Sequence, residues 1–77
     1  MKEQIRKTIL ENCGDNADKM KDDSLLADMI DSILFVKVVV ALEEKFNFEF
    51  EDEMLAVSKF ETLDDLMTYV EKAVEQS

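Results

Sequence analysis

Few side chains in this sequence are equipped for covalent chemistry, and Ser32 is the one whose position invites a role. It stands where a long polar stretch gives way to an apolar periodic run, in the order Met29-Ile30-Asp31-Ser32-Ile33. A serine at the start of a helix ordinarily caps it. A nucleophilic serine needs a base beside it; this chain has no His and suggests no other nucleophile–base pair, so a small hydrolase using Ser32 lacks its activating group. Cys13 is the only cysteine, which excludes an intrachain disulfide, and a lone thiol without histidine cannot build a transition-metal site. Free cysteine at an apolar helical position is usually a small packing residue. The acidic stretch beginning at Asp15 invites a calcium-loop reading, but the required central Gly falls on Met20 and the terminal Glu on Leu26, so that loop is rejected.

The elements that must position Ser32 are legible from periodicity and caps, because the chain has no Pro and one Gly. A first helix is expected over about Lys2 to Cys13, with Ile5, Ile9 and Cys13 on one side and Gly14 at its left-handed end. Asp15 to Asp31 reads as a long polar connection pinned by Leu25, Leu26, Met29 and Ile30; connections this long in small domains are often functional. The second helix is expected over Ser32 to Phe46. Its Val38-Val39-Val40 run could pass for a strand, but at 100° per residue Phe35, Val38, Val39, Leu42 and Phe46 gather on one side. The opposite side carries Ile33, Lys37, Val40 and Glu44, with Val36 at its margin, so three apolar residues face water. Phe48-Glu49-Phe50 is an extended connector dropping Phe48 or Phe50 into the core, since a lone strand cannot satisfy its backbone. Glu51 or Asp52 is expected to cap a short helix through about Leu55, and Phe60 to anchor the core. The last helix begins at Thr62, with Asp64 and Asp65 in its first turn and Leu63, Leu66, Met67, Val70 and Val74 facing inward. The expected architecture is all-α: a small four-helix bundle of three main helices and one short one, a single domain over residues 1–77.

Charge narrows the partners. Nine Lys and Arg against 19 Asp and Glu give a net charge of −10, which repels nucleic acid and anionic lipid and favours partners with basic surfaces. No stretch reaches the roughly 18 apolar residues of a membrane span, so a cytoplasmic monomer is expected.

With these elements in place, the chain resembles the acyl and peptidyl carrier protein family. Asp31-Ser32-Ile33 is similar to that family's Asp-Ser followed by Leu, Ile or Met at the start of the second helix. Ala41-Leu42-Glu43-Glu44-Lys45-Phe46 resembles the Leu-Glu-x-x-Phe that closes it, and Phe60-Glu61-Thr62-Leu63 the approach to the last helix. The resemblance covers nearly the whole chain in length, helix order and acidity. It implies no enzyme, but a carrier holding an acyl or aminoacyl group as a thioester on a 4′-phosphopantetheine arm joined to Ser32. A phosphodiester there would lie beside free N–H groups and the positive end of the helix dipole. By the same resemblance Asp31 helps position Ser32 and a metal ion in a phosphopantetheinyl transferase. Ile33, Val36 and Val40 then contact acyl- or aminoacyl-loading and processing enzymes, with Glu43 and Glu44 steering basic partners.

Two departures bear on subtype. Ala27-Asp28-Met29 stands where many carriers place Gly, and Leu34 and Lys37 stand where fatty-acid-type carriers usually have acidic residues. Fatty acid, polyketide and other dedicated pathways therefore stay open, beside D-alanyl or peptidyl carriage. A further alternative is an unmodified acidic helical adaptor.

Overall fold

The computed structural model describes residues 1–76, the side chains of residues 15–17 excepted. The described chain folds into four α-helices: α1 (Lys2–Glu11), α2 (Leu26–Met29), α3 (Ser32–Phe46) and α4 (Leu63–Gln76). It fits within 30 × 24 × 19 Å, and α1 packs against both α3 and α4. The core is formed by the stripes that periodicity marks: Ile5 and Ile9 of α1, Phe35, Val38, Val39 and Leu42 of α3, and Leu63, Leu66, Met67 and Val70 of α4. Thr8, the buried polar residue of α1, is satisfied by donating to the Gln4 carbonyl at 2.9 Å.

α1 ends at Glu11, two residues earlier than periodicity indicates. Its last turn tightens into shorter bonds, Asn12 N–H to the Ile9 carbonyl and Cys13 N–H to that of Leu10, and Asn12 Nδ2 donates to the Thr8 carbonyl at 2.8 Å. Cys13 is still buried, and Gly14 takes the left-handed conformation at φ +61°.

The connection to Ser32 carries more structure than its composition suggests: a 3-10 segment (Gly14–Lys19), then the single turn α2. One turn has no periodicity to read, and α2 is held from outside itself. Leu26 N–H donates to the Glu61 carbonyl at 2.9 Å, Leu63 N–H to Ser24 at 3.1 Å and Asp64 N–H to Asp22 at 2.9 Å, stitching this segment to the start of α4 around a Leu25–Thr62 bridge. Arg6 Nη2 grips both Asp22 carboxylate oxygens at 2.7 Å and Lys2 pairs with Asp64 at 2.6 Å, so α1 joins the same seam. Leu26 and Ile30 are buried, Met29 half-buried, and Leu25 exposed.

Beyond α3 the connector buries both Phe48 and Phe50. Phe50 lies 5.2 Å from the Tyr69 ring, and Tyr69 Oη accepts the Glu51 N–H at 3.1 Å. In place of one short helix reaching Leu55 there are two 3-10 turns, Asp52–Met54 and Val57–Lys59, and Glu51 provides no side-chain cap. α4 opens on a reciprocal cap. Thr62 Oγ1 accepts the Asp65 N–H, and Asp65 Oδ2 accepts the Thr62 N–H, both at 3.2 Å.

Candidate functional site

The start of α3 is fixed by Asp31, not by Ser32. Asp31 is extended (φ −95°, ψ −178°) and its Oδ1 accepts the Leu34 N–H at 2.8 Å, while its carbonyl takes the Phe35 N–H at 2.9 Å. The capping duty that a serine at this place ordinarily performs thus falls to its neighbour, and Ser32 becomes the first helical residue. Its side chain is exposed and, among the described residues, its hydroxyl makes no hydrogen bond. The backbone N–H groups of Ser32 and Ile33 also have no partner among the described residues. Two free donors at the positive end of a 15-residue helix, beside an uncommitted hydroxyl, form a favourable seat for an anion bonded to that oxygen.

A surface groove of about 280 Å³ runs beside Ser32, walled by Phe35 and Val36 of α3 and by Leu55, Ala56, Val57 and Ser58. This second wall is absent from the sequence reading. Leu55 is an isolated leucine in a stretch without periodicity, and nothing in its spacing signals that the 3-10 turns bring it next to Ser32.

Along α3 the outer residues fall where helical phase puts them. Ile33, Val36 and Val40 are 83%, 56% and 45% exposed. Glu44 is exposed, whereas Glu43 is half-buried and its Oε2 accepts the Phe50 N–H at 2.8 Å. Glu43 therefore ties α3 to the connector, leaving Glu44 as the freer carboxylate of the pair. Cys13 lies away from this surface in the core, and burial pushes its thiol up, which keeps it protonated and unreactive near neutral pH. Among the described residues no three His, Cys, Asp or Glu side chains are grouped to hold a metal ion, and no helix is long and apolar enough to cross a membrane.

Comparison with known proteins bears on this same region. A family described as a phosphopantetheine attachment site matches residues 3–70, which include Asp31 and Ser32. The acyl carrier protein of Wolinella succinogenes is 34% identical over 71 residues, covering 90% of this chain and 91% of that protein. That of Bdellovibrio bacteriovorus is likewise 34% identical over 71 residues, covering 90% and 88%. The acyl carrier protein of Helicobacter hepaticus is 32% identical over 71 residues, covering 90% and 91%.

Proposed function

The chain belongs to the phosphopantetheine-binding acyl carrier protein family, whose cofactor is a covalently attached 4′-phosphopantetheine, and from that premise we propose that Ser32 is the attachment point of this member. The observation that carries the reading is the state of the Ser32 hydroxyl. It is exposed, relieved of capping by Asp31, and set in the first turn of α3 beside two free N–H groups. Those features suit a phosphodiester, whose charge the helix terminus stabilises. When attached, the arm supplies a terminal thiol that bears the cargo as a thioester.

The remaining residues of the region have supporting roles. Asp31 holds the first turn of α3, so the Ser32 oxygen is presented from a fixed backbone to the phosphopantetheinyl transferase. Ile33, Val36 and Val40 give partner enzymes an apolar contact, with Glu44 and the outer edge of Glu43 at the far end of the helix. The protein is a carrier with no reaction of its own: the chain has no His to activate Ser32, and the neighbouring Asp31 carboxylate is engaged in capping α3. Its cargo is an acyl or aminoacyl group in a fatty acid, polyketide or other dedicated pathway, and the whole chain works as one cytoplasmic carrier domain.

The test is intact mass. Incubation with coenzyme A and a broad-specificity phosphopantetheinyl transferase is expected to add the mass of one phosphopantetheine to the wild type and nothing to Ser32→Ala. A modified Ser32→Ala protein would remove Ser32 as the site. A wild type left unmodified, yet holding a basic partner equally well with or without Ser32, would favour the adaptor.

A further inference from the structure

The charge of this molecule is unevenly placed. Of its 19 acidic residues only Glu43 and Glu44 lie on α3, both in the last turn, and Lys37 and Lys45 balance them. A protein of net charge −10 thus presents Ser32 on a helix whose own side-chain charges cancel. Helical phase sharpens the contrast. With Ile33 taken as zero, Val40 lies about 20° to one side, and Glu44 about 20° and Lys37 about 40° to the other. In the two turns nearest Ser32 the outward face therefore carries apolar surface and one cation. Every neighbour of Lys37 at helical spacing, Ile33, Leu34, Val40 and Ala41, is apolar, so no carboxylate on α3 can pair with it. The ion pairs among the described residues are Lys2–Asp64 and Arg6–Asp22, and Lys37 forms none. The groove wall across from Val36 is also uncharged, and it adds the 47% exposed Leu55 to the apolar face.

We propose that the enzymes this carrier serves dock on the Ser32 half of α3 through an apolar cleft bordered by a carboxylate that meets Lys37, basic contact being confined to the Glu44 end. The inference rests on the reading of Ser32 as the arm-bearing residue and deepens it by naming the partner chemistry. A basic patch laid over the first two turns would set cation against cation at Lys37 and find no carboxylate on α3 before Glu43 to offset desolvation, the Asp31 carboxylate just ahead of Ser32 being already engaged in capping the Leu34 N–H. An apolar cleft buries Ile33 and Val36, and a carboxylate at its edge takes the unpaired ammonium. The overall negative charge then acts in long-range attraction, while the contact itself selects partners by a different criterion.

The experiment uses two phosphopantetheinyl transferases with coenzyme A as defined probes. One has a basic carrier-docking surface, and the other an apolar surface with an acidic rim. The kcat/KM for modification of Ser32 is measured with each, on wild type, Lys37→Glu and Ile33→Ala. The wild type is expected to favour the apolar-faced enzyme about tenfold, a ratio typical of one well-placed charge contact. Lys37→Glu should reverse that preference, chiefly through KM, and Ile33→Ala should slow the apolar-faced enzyme about tenfold. Lys37 and Ile33 are exposed, so both variants are expected to fold, and helical circular dichroism checks it. A wild type that prefers the basic-faced enzyme, or a Lys37→Glu ratio within about twofold of wild type, overturns the proposed docking chemistry while leaving Ser32 as the site. Failure of both enzymes to modify the wild type overturns the reading of Ser32 itself, and this inference with it.

Discussion

Ser32 and Asp31 divide two tasks that sequence alone leaves on one residue. Serine is a good cap, but a hydroxyl bonded back to the helix is less available to another molecule; with the cap given to Asp31, the Ser32 oxygen has no partner among the described residues. Asp31→Ala should therefore cost about 1 kcal/mol in urea unfolding, the usual loss for a missing N-cap. Asp31→Asn should keep the cap within a few tenths of that figure, since asparagine caps as well as aspartate. If Asp31 also serves the transferase through its charge, Asp31→Asn will still slow modification of Ser32. Equal modification rates for Asp31→Asn and wild type would confine Asp31 to holding the helix end. The sequence singled out this dipeptide through the family resemblance that it shares with Leu42-Glu43 and Phe46, and the family match over residues 3–70 includes it. Which of the two residues caps was not, because either side chain can reach the same N–H groups. Glu43 gave no signal of its bond to Phe50, which depends on how the chain turns after α3.

At the scale of elements, length decided what could be read. α3 spans about four turns, so its buried stripe repeats often enough to mark it as a helix, and its bounds, Ser32–Phe46, are those expected from the sequence. α2 and the 3-10 turns are too short to repeat anything: α2 is tied down by its Leu26 N–H on the distant Glu61 carbonyl, whereas the turns at Asp52–Met54 and Val57–Lys59 close on local bonds such as Met54 N–H to the Glu51 carbonyl and Lys59 N–H to that of Ala56. The end of α3 also has a specific requirement. Asn47 sits at φ 55°, ψ 55°, with its N–H on the Glu43 carbonyl, a left-handed conformation that asparagine tolerates better than residues lacking a short polar side chain. Asn47→Ala is expected to lower unfolding free energy by about 1 kcal/mol, and Asn47→Gly to leave it unchanged or slightly raised. An alanine variant as stable as the wild type would show that the turn into Phe48 does not need this conformation.

For the whole molecule the controlling quantity is charge against a small core. A domain of this size buries only about 60% of the surface its unfolded chain exposes, and a net charge of −10 adds self-repulsion to that modest burial. The ion pairs among the described residues, Lys2–Asp64 and Arg6–Asp22, are partly exposed and offset little of that repulsion. Screening is therefore expected to help more by weakening repulsion than it harms by weakening these pairs. The Tm should rise when salt increases from about 10 to about 150 mM, over which the screening length falls from about 30 to about 8 Å. A Tm that stays flat or falls over that range would mean the attractive pairs outweigh the repulsion.

The backbone seam between the Asp22–Leu26 segment and the Glu61–Asp64 segment couples distant parts of the sequence. The first amides of α4 are secured by carbonyls of the strand of chain leading to Ser32, so neither side can detach without exposing the other's polar groups to solvent. Loosening α4 would in consequence slacken the footing of Ser32 from more than thirty residues away. α4 is thereby an anchor for the start of α3 as well as a wall of the core.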